Sequence, residues 1–237
     1  MHQIRQCFLL IVVIMLSAGV SAQTVHQNTG WFAWFNSYKL SRHWRLHFDG
    51  QLRSADNWDY VKTVLVRPGI TYAFNSRNAV ALGYAYIATY NRPAANASKT
   101  RLDESRIWEQ YINTTKIGRA SLQNRARLEQ RFIERATENV FSQRLRYWVR
   151  TMIPFIKPKT SFNKGFFGAV QNEIFLNVQN KDKINESLFD QNRAYLAIGY
   201  RFSPKIDIDA GYMNQFVKGA TTDVSNNIIQ MAVYTRF

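Results

Sequence analysis

The feature that most restricts this chain is an alternation of apolar and polar residues with a period of two, recurring from residue 31 to Phe237. Successive side chains of a β-strand point to opposite faces, so the pattern describes strands with one apolar and one polar face. It is clearest at 121–132, where Ser121, Gln123, Arg125, Arg127, Glu129 and Arg131 oppose Leu122, Ala126, Leu128 and Phe132. Segment 44–53 sets Trp44, Leu46, Phe48 and Leu52 against Arg45, His47, Asp49, Gln51 and Arg53. In 79–90, Val80, Leu82, Tyr84 and Tyr86 oppose the small residues Ala79, Ala81, Gly83 and Ala85. Leu145, Tyr147, Val149 and Ile153 face away from Arg144, Arg146 and Arg150. Leu196, Ile198, Tyr200 and Phe202 face away from Arg193 and Arg201, and Ile206, Ile208, Tyr212 and Phe216 from Asp207, Asp209 and Gln215. At 229–237, Ile229, Met231, Val233 and Phe237 oppose Gln230, Tyr234 and Arg236. Weaker alternation marks 31–38, 61–73, 105–116 and 167–178, the last carrying Glu173.

The connectors alternate in length. Ser41-Arg42, 75–78, Gly118-Arg119 and 203–205 are short, whereas 54–60, 91–104, 133–143, 179–190 and 217–227 are longer and polar. Residues 155–166 are long where a short turn is due. Short turns on one rim and long loops on the other describe a membrane-type barrel. About eleven segments are legible, many near the ~9–11 residues that a tilted membrane strand needs. Bacterial single-chain barrels have even strand numbers. The expected fold is all-β: an antiparallel up-and-down transmembrane β-barrel of about 10–12 strands, with twelve favoured and ten the alternative. A strand near 22–30 would restore the parity; otherwise residues 23–30 start on the loop side and thread the lumen.

Residues 1–22 carry a different pattern. Arg5 precedes the apolar run Cys7–Leu16, and small residues close the segment at Val20-Ser21-Ala22. That is the order of a secretory signal peptide, with cleavage expected between Ala22 and Gln23 and 23–237 left as one barrel domain. The apolar run is shorter than the roughly 20 residues of a spanning helix. Cys7, the one cysteine, precedes that run, so neither a lipoprotein anchor nor a disulfide is expected. The destination expected is the bacterial outer membrane, with its lipid and, during biogenesis, the barrel-assembly machinery as partners. "MAVYTRF" resembles the C-terminal insertion signal of such barrels through Met231, Val233 and Phe237, and departs from it at Ala232 and Thr235.

The chain carries 31 Lys and Arg against 16 Asp and Glu, a formal charge of +15. The arginines are interleaved with carboxylates on strand faces and do not form runs, so nucleic acid is not an expected partner. With the large apolar faces turned to lipid, the polar faces build a lumenal charge network. Its expected members are Arg45, Asp49, Arg53, Arg125, Arg127, Glu129, Arg131, Arg144, Arg146, Arg150, Glu173, Arg193, Arg201, Asp207 and Asp209. A secreted soluble barrel would invert this arrangement. The function expected is a structural barrel or a narrow anion-preferring pore, with small anions as candidate partners and no cofactor. The alternatives are a lipid-modifying enzyme using His47 and a surface ligand binder using loop 91–104 or 179–190. No catalytic motif stands out beside His47, and clusters of His and Cys that would hold a metal are absent from the sequence. Glu109 and Arg106 are expected as a structural pair.

"WFNSYKLSRHWRLHFDGQLR", "RPGITYAF", "ALGYAY", "RIWEQ", "RARLEQRF", "LRYWVR", "FDQNRAYLAIGYRFS" and "DAGYMNQF" together resemble the family known as domain of unknown function 2490. The resemblance covers roughly 28–237 and rests on strand-and-turn patterns. It implies an outer-membrane-like barrel of a Gram-negative, Bacteroidetes-type bacterium, and it brings no established activity or catalytic residues.

Overall fold

The computed structural model describes residues 23–92, 100–135, 138–158 and 161–237. The expected signal segment, with Cys7, lies outside these residues, as do residues 93–99 of loop 91–104. Eleven strands follow one another: β1 (Thr24–Lys39), β2 (Trp44–Ser54), β3 (Val61–Ala73), β4 (Asn78–Asn91), β5 (Thr100–Ile117) and β6 (Ala120–Glu134). Then come β7 (Asn139–Pro154), β8 (Gly165–Gln179), β9 (Phe189–Ser203), β10 (Ile206–Val217) and β11 (Asp223–Arg236). Each pairs antiparallel with its sequence neighbour, and β1 pairs with β11 to close the sheet into a barrel.

The closing pair is parallel, running in unbroken register from Thr24↔Asp223 to Ser37↔Arg236. Eleven strands lie within the expected range of ten to twelve, one fewer than the favoured number. The even-number rule assumes a seam that is antiparallel like every other pair. A parallel seam removes that requirement, so no twelfth strand is needed. Residues 24–30 do not thread the lumen: they are the first half of β1, held by the backbone of β11. Likewise 100–104 are not loop but the start of β5, paired with β4 from Asn91↔Thr100 onward.

The turns after β1, β3, β5 and β9 are short and share one rim, but the connection after β7, at 155–164, is long on that same rim, and the one after β6 on the opposite rim is only 135–138. The β5–β6 turn is Gly118-Arg119, and Gly118 has φ +58, a conformation glycine takes without steric cost. The first half of β1 rises above β2, whose pairing begins at Trp31↔Arg53. That exposed edge is capped locally: Asp56 Oδ1 accepts from Asn28 N at 2.7 Å, Ser54 Oγ accepts from Gly30 N at 2.8 Å, and the Trp58 ring lies over Gly30.

The strand faces are distributed inside-out relative to a soluble protein. Leu82 (55%), Leu196 (64%) and Ile198 (62%) stand exposed on the outer wall, whereas Asp49, Arg127, Glu129 and Asp209 are at most 1% exposed. Aromatic clusters mark the outer wall near the short-turn rim, with Trp44 and Phe74 each against Tyr72, and Phe166 and Phe202 each against Tyr200. Trp108 crosses the small inner face of β3 and β4. A Cβ at Gly69 would stand 2.6 Å from its ring, and one at Gly83 would overlap both the ring and the Pro68 carbonyl oxygen. Gly83→Val is expected to lower the unfolding free energy by about 1–3 kcal/mol through overpacking. Trp108→Ala in the same chain should recover part of the loss. Urea unfolding in detergent, followed by the gel mobility of unheated samples, measures both.

Candidate functional site in the barrel lumen

The polar faces of the strands meet in the lumen as a web of arginines that share too few carboxylates. Glu129, in the middle of β6, accepts from Arg144 Nη2 at 2.8 Å and from Arg146 Nη1, with Arg106 and Arg127 further off at 3.6 and 3.7 Å. Arg127 donates to Gln110 Oε1 and stacks 4.6 Å from the centre of the Trp108 ring. Glu173 Oε1 takes Arg125 at 2.8 Å and Arg146 at 2.7 Å. Glu104 is divided between Arg106 and Arg131, Asp207 between Arg201 and Arg236, and Asp190 takes the other side of Arg144. Asp209 is bonded by Arg150 and by the Tyr195 hydroxyl. Asp49 is held by two donors of Arg67, its cross-strand neighbour on β3.

Register explains these pairings. Arg127 lies opposite Arg146, and Glu129 opposite Arg144, across the β6–β7 ladder. Side chains directly opposite on one face have Cβ atoms within ~5.5 Å. Two arginines in that position repel unless a carboxylate sits between them, and Glu129 fills that place. Taking such ions out of water costs several kcal/mol each, which is recovered only when their hydrogen bonds are satisfied.

Beside the web lies a cavity of about 880 Å³, lined from Asn75–Asn78 at the short-turn rim to Arg131, Arg144 and Arg193 deep in the barrel. A second, of about 570 Å³, adjoins it near the 118–121 turn and shares Thr114, Gln123, Trp148, Tyr234 and Arg236 with the first. Arg45 is exposed where the larger cavity meets the rim and makes no ion pair among the described residues. Arg53 and Arg193 line the same cavity, also without an ion pair.

His47 faces the lumen with Nε2 3.8 Å from Asp49 Oδ2, and no described hydroxyl hydrogen-bonds to it. Asp49 is already engaged with Arg67, so the two residues do not form a relay toward a nucleophile. The expected Glu109–Arg106 pair does not form. Three residues apart on a strand means opposite faces: Arg106 turns inward to Glu104, while Glu109 is exposed on the outer wall, accepting from Gln130 at 2.9 Å. Met231 stands exposed on the outer face at 46% with Val233 half-buried beyond it, and Phe237, 52% exposed just past the end of β11, borders the larger cavity at the rim. Phe237 N donates to Ser37 O, its carbonyl accepts from Lys39 N at 2.6 Å, and Lys205 Nζ lies 5.8 Å from the centre of its ring.

Several members of the web carry little sequence signal: Arg67 sits beside Pro68 in a strand with apolar residues on both faces, Glu104 and Asp190 lie at the ends of polar stretches with the composition of loops, and Arg236 is marked by its polar-face parity alone.

A closed sheet with its charges inside and its large apolar residues outside defines the class, a β-barrel of inverted polarity. Within that class the chain belongs to the DUF2490 family of proteins of unknown function, whose profile matches residues 28–226. No curated protein and no solved structure matches it.

Glu129→Ala leaves Arg144 and Arg146, side by side on β7, without the acceptor they share, and leaves Arg127 facing Arg146 with no carboxylate between them. It is expected to cost about 3–5 kcal/mol, the usual penalty for stranding a buried charge. Glu129→Ala combined with Arg146→Met should cost less than the single change, and equilibrium unfolding of the three proteins in one detergent checks the order.

Proposed function

We propose that the protein is an outer-membrane β-barrel whose lumen is a narrow, anion-preferring conduit. The observation that carries the membrane reading is the exposure of Leu82, Leu196, Ile198 and Ile229 around a wall whose interior holds Glu129 and Arg127. Water would penalise such an outer surface and lipid would not. The strands, of 11 to 18 residues, meet or exceed the ~9–11 needed to cross the hydrocarbon layer at a tilt. In this reading the barrel-assembly machinery inserts the chain, and exposed Met231 on β11 and Phe237 just after it form part of the recognised surface. Deleting Phe237 is expected to lower the amount of heat-modifiable, folded protein in the outer-membrane fraction while leaving synthesis unchanged.

Anion preference follows from the unequal division of lumenal charge, since Arg45, Arg53 and Arg193 line the larger cavity with no carboxylate partner among the described residues. Cationic side chains along a narrow aqueous path raise the local concentration of anions. Single-channel recording of the reconstituted protein under a KCl gradient tests this. Discrete steps with an anion-selective reversal potential are expected, and Arg45→Glu, a change at an exposed rim position, should move that potential toward the cation side. Silence from protein whose insertion is independently demonstrated would overturn the conduit and leave a side-chain-filled structural barrel.

A further inference from the structure

Arg53 and Arg193 differ from the other arginines deep in the lumen. Arg67, Arg106, Arg125, Arg127, Arg131 and Arg144 each have a carboxylate within 4.0 Å; these two have none among the described residues. Both stack on one indole, Arg53 at 4.1 Å and Arg193 at 5.0 Å from the centre of the Trp31 ring, and Arg193 also lies 4.7 Å from that of Phe175. Trp31 is the direct cross-strand neighbour of Arg53. Two cations are therefore gathered on one buried aromatic surface with no anion between them.

Their remaining contacts position them without neutralising them. Arg53 Nη2 donates to Gln51 Oε1 at 2.7 Å, and Arg193 Nη2 donates to Gln191 Oε1 at 3.1 Å. Each glutamine is itself oriented by a carboxylate: Gln51 Nε2 donates to Asp49 Oδ1 and Gln191 Nε2 to Asp190 Oδ2, both at 3.2 Å. Those carboxylates are committed to Arg67 and Arg144. Glu173, opposite Arg193 on β8, is committed through Oε1 to Arg125 and Arg146. In both Arg53 and Arg193, Nε–H is buried without an acceptor and Nη1 makes no hydrogen bond to the protein. Buried donors of this kind are costly, and a guanidinium presents its donors in a fixed planar fork that suits oxyanions.

We infer that Arg53 and Arg193, stacked on Trp31 at the inner reach of the larger cavity, form a binding site for a small tetrahedral oxyanion of the phosphate or sulfate kind. A dianion balances the two unneutralised charges and supplies the acceptors that their unpaired N–H groups lack. Packing against the Trp31 ring and the glutamine hydrogen bonds hold the guanidiniums in place, so little side-chain entropy remains to be lost on binding. This deepens the anion-preferring reading of the lumen and rests on it.

The test is calorimetric titration of the full barrel, purified in detergent, with inorganic phosphate, with sulfate and with glycerol phosphate at constant chloride. Saturable phosphate binding at one site per chain is expected. Arg53→Gln and Arg193→Gln should each weaken it about tenfold or more, as the loss of a charge-assisted hydrogen-bond partner would. Arg53→Lys, which keeps the charge but not the fork, should fall between, and Arg42→Gln, in the exposed β1–β2 turn, should bind as the parent does. Unheated gel mobility identifies folded variants. A rise in the melting temperature of the unaltered protein with phosphate, over chloride at matched ionic strength, provides a reading that needs no variant. Absence of phosphate binding by the parent, or equal binding by folded Arg53→Gln and Arg193→Gln, overturns the site. Uptake of glycerol phosphate without inorganic phosphate overturns the assignment to the free oxyanion. Anion-selective conductance that persists without phosphate binding refutes the site alone, whereas loss of both refutes the lumenal reading beneath it.

Discussion

Backbone hydrogen bonding is the constraint from which the rest of this barrel follows. If the outer wall faces lipid, as proposed above, the sheet cannot leave an edge unpaired, because no water would be available there to satisfy its N–H and C=O groups. Eleven strands joined by antiparallel neighbours leave β1 and β11 pointing the same way, so the sheet closes through a parallel ladder. Closure then fixes which face of every strand turns inward. A slip of one residue would carry the arginines to the outer wall and the leucines into the lumen.

That inward turn creates an electrostatic problem with a local solution. Cross-strand register brings Arg127 against Arg146, and the shared acceptor Glu129 makes the arrangement tolerable. Sharing recurs at Glu173, Glu104 and Asp207, each held by two arginines. One carboxylate for two guanidiniums leaves the interior positive. Where even a shared carboxylate is lacking, glutamine and aromatic faces hold the cation, as Gln51 and Trp31 hold Arg53. The apolar parts of the lumen serve the same end: Trp108 seals β3 and β4 and gives Arg127 a surface to lie on.

Much of this architecture was legible in the sequence because a period of two is a direct projection of strand geometry. The strands around 44–53, 121–132 and 193–202 could be read with their faces assigned, since one side is strongly polar. Legibility failed where that contrast weakens. In β1, Trp31, Phe32, Trp34 and Phe35 put aromatics on both faces, so nothing in the sequence separated Trp31 in the lumen from Phe32 on the outer wall. Seam parity was hidden for another reason: alternation fixes faces but carries no information on which strands pair. Partner choice within the web was hidden as well. Glu104 rather than Glu109 answers Arg106 because the spacing of two keeps a face and the spacing of three reverses it.

The parallel seam also has a mechanical meaning. In an all-antiparallel barrel the first and last strands begin and end at a common rim, and force applied to the two ends would peel the closing ladder open pair by pair. Here Thr24 and Arg236 stand at opposite rims of adjacent strands. Tension between them loads the ladder lengthwise, so the whole register from Thr24↔Asp223 to Ser37↔Arg236 must give way together. Pulled along its own axis, this barrel resists in shear at the very joint where it was closed.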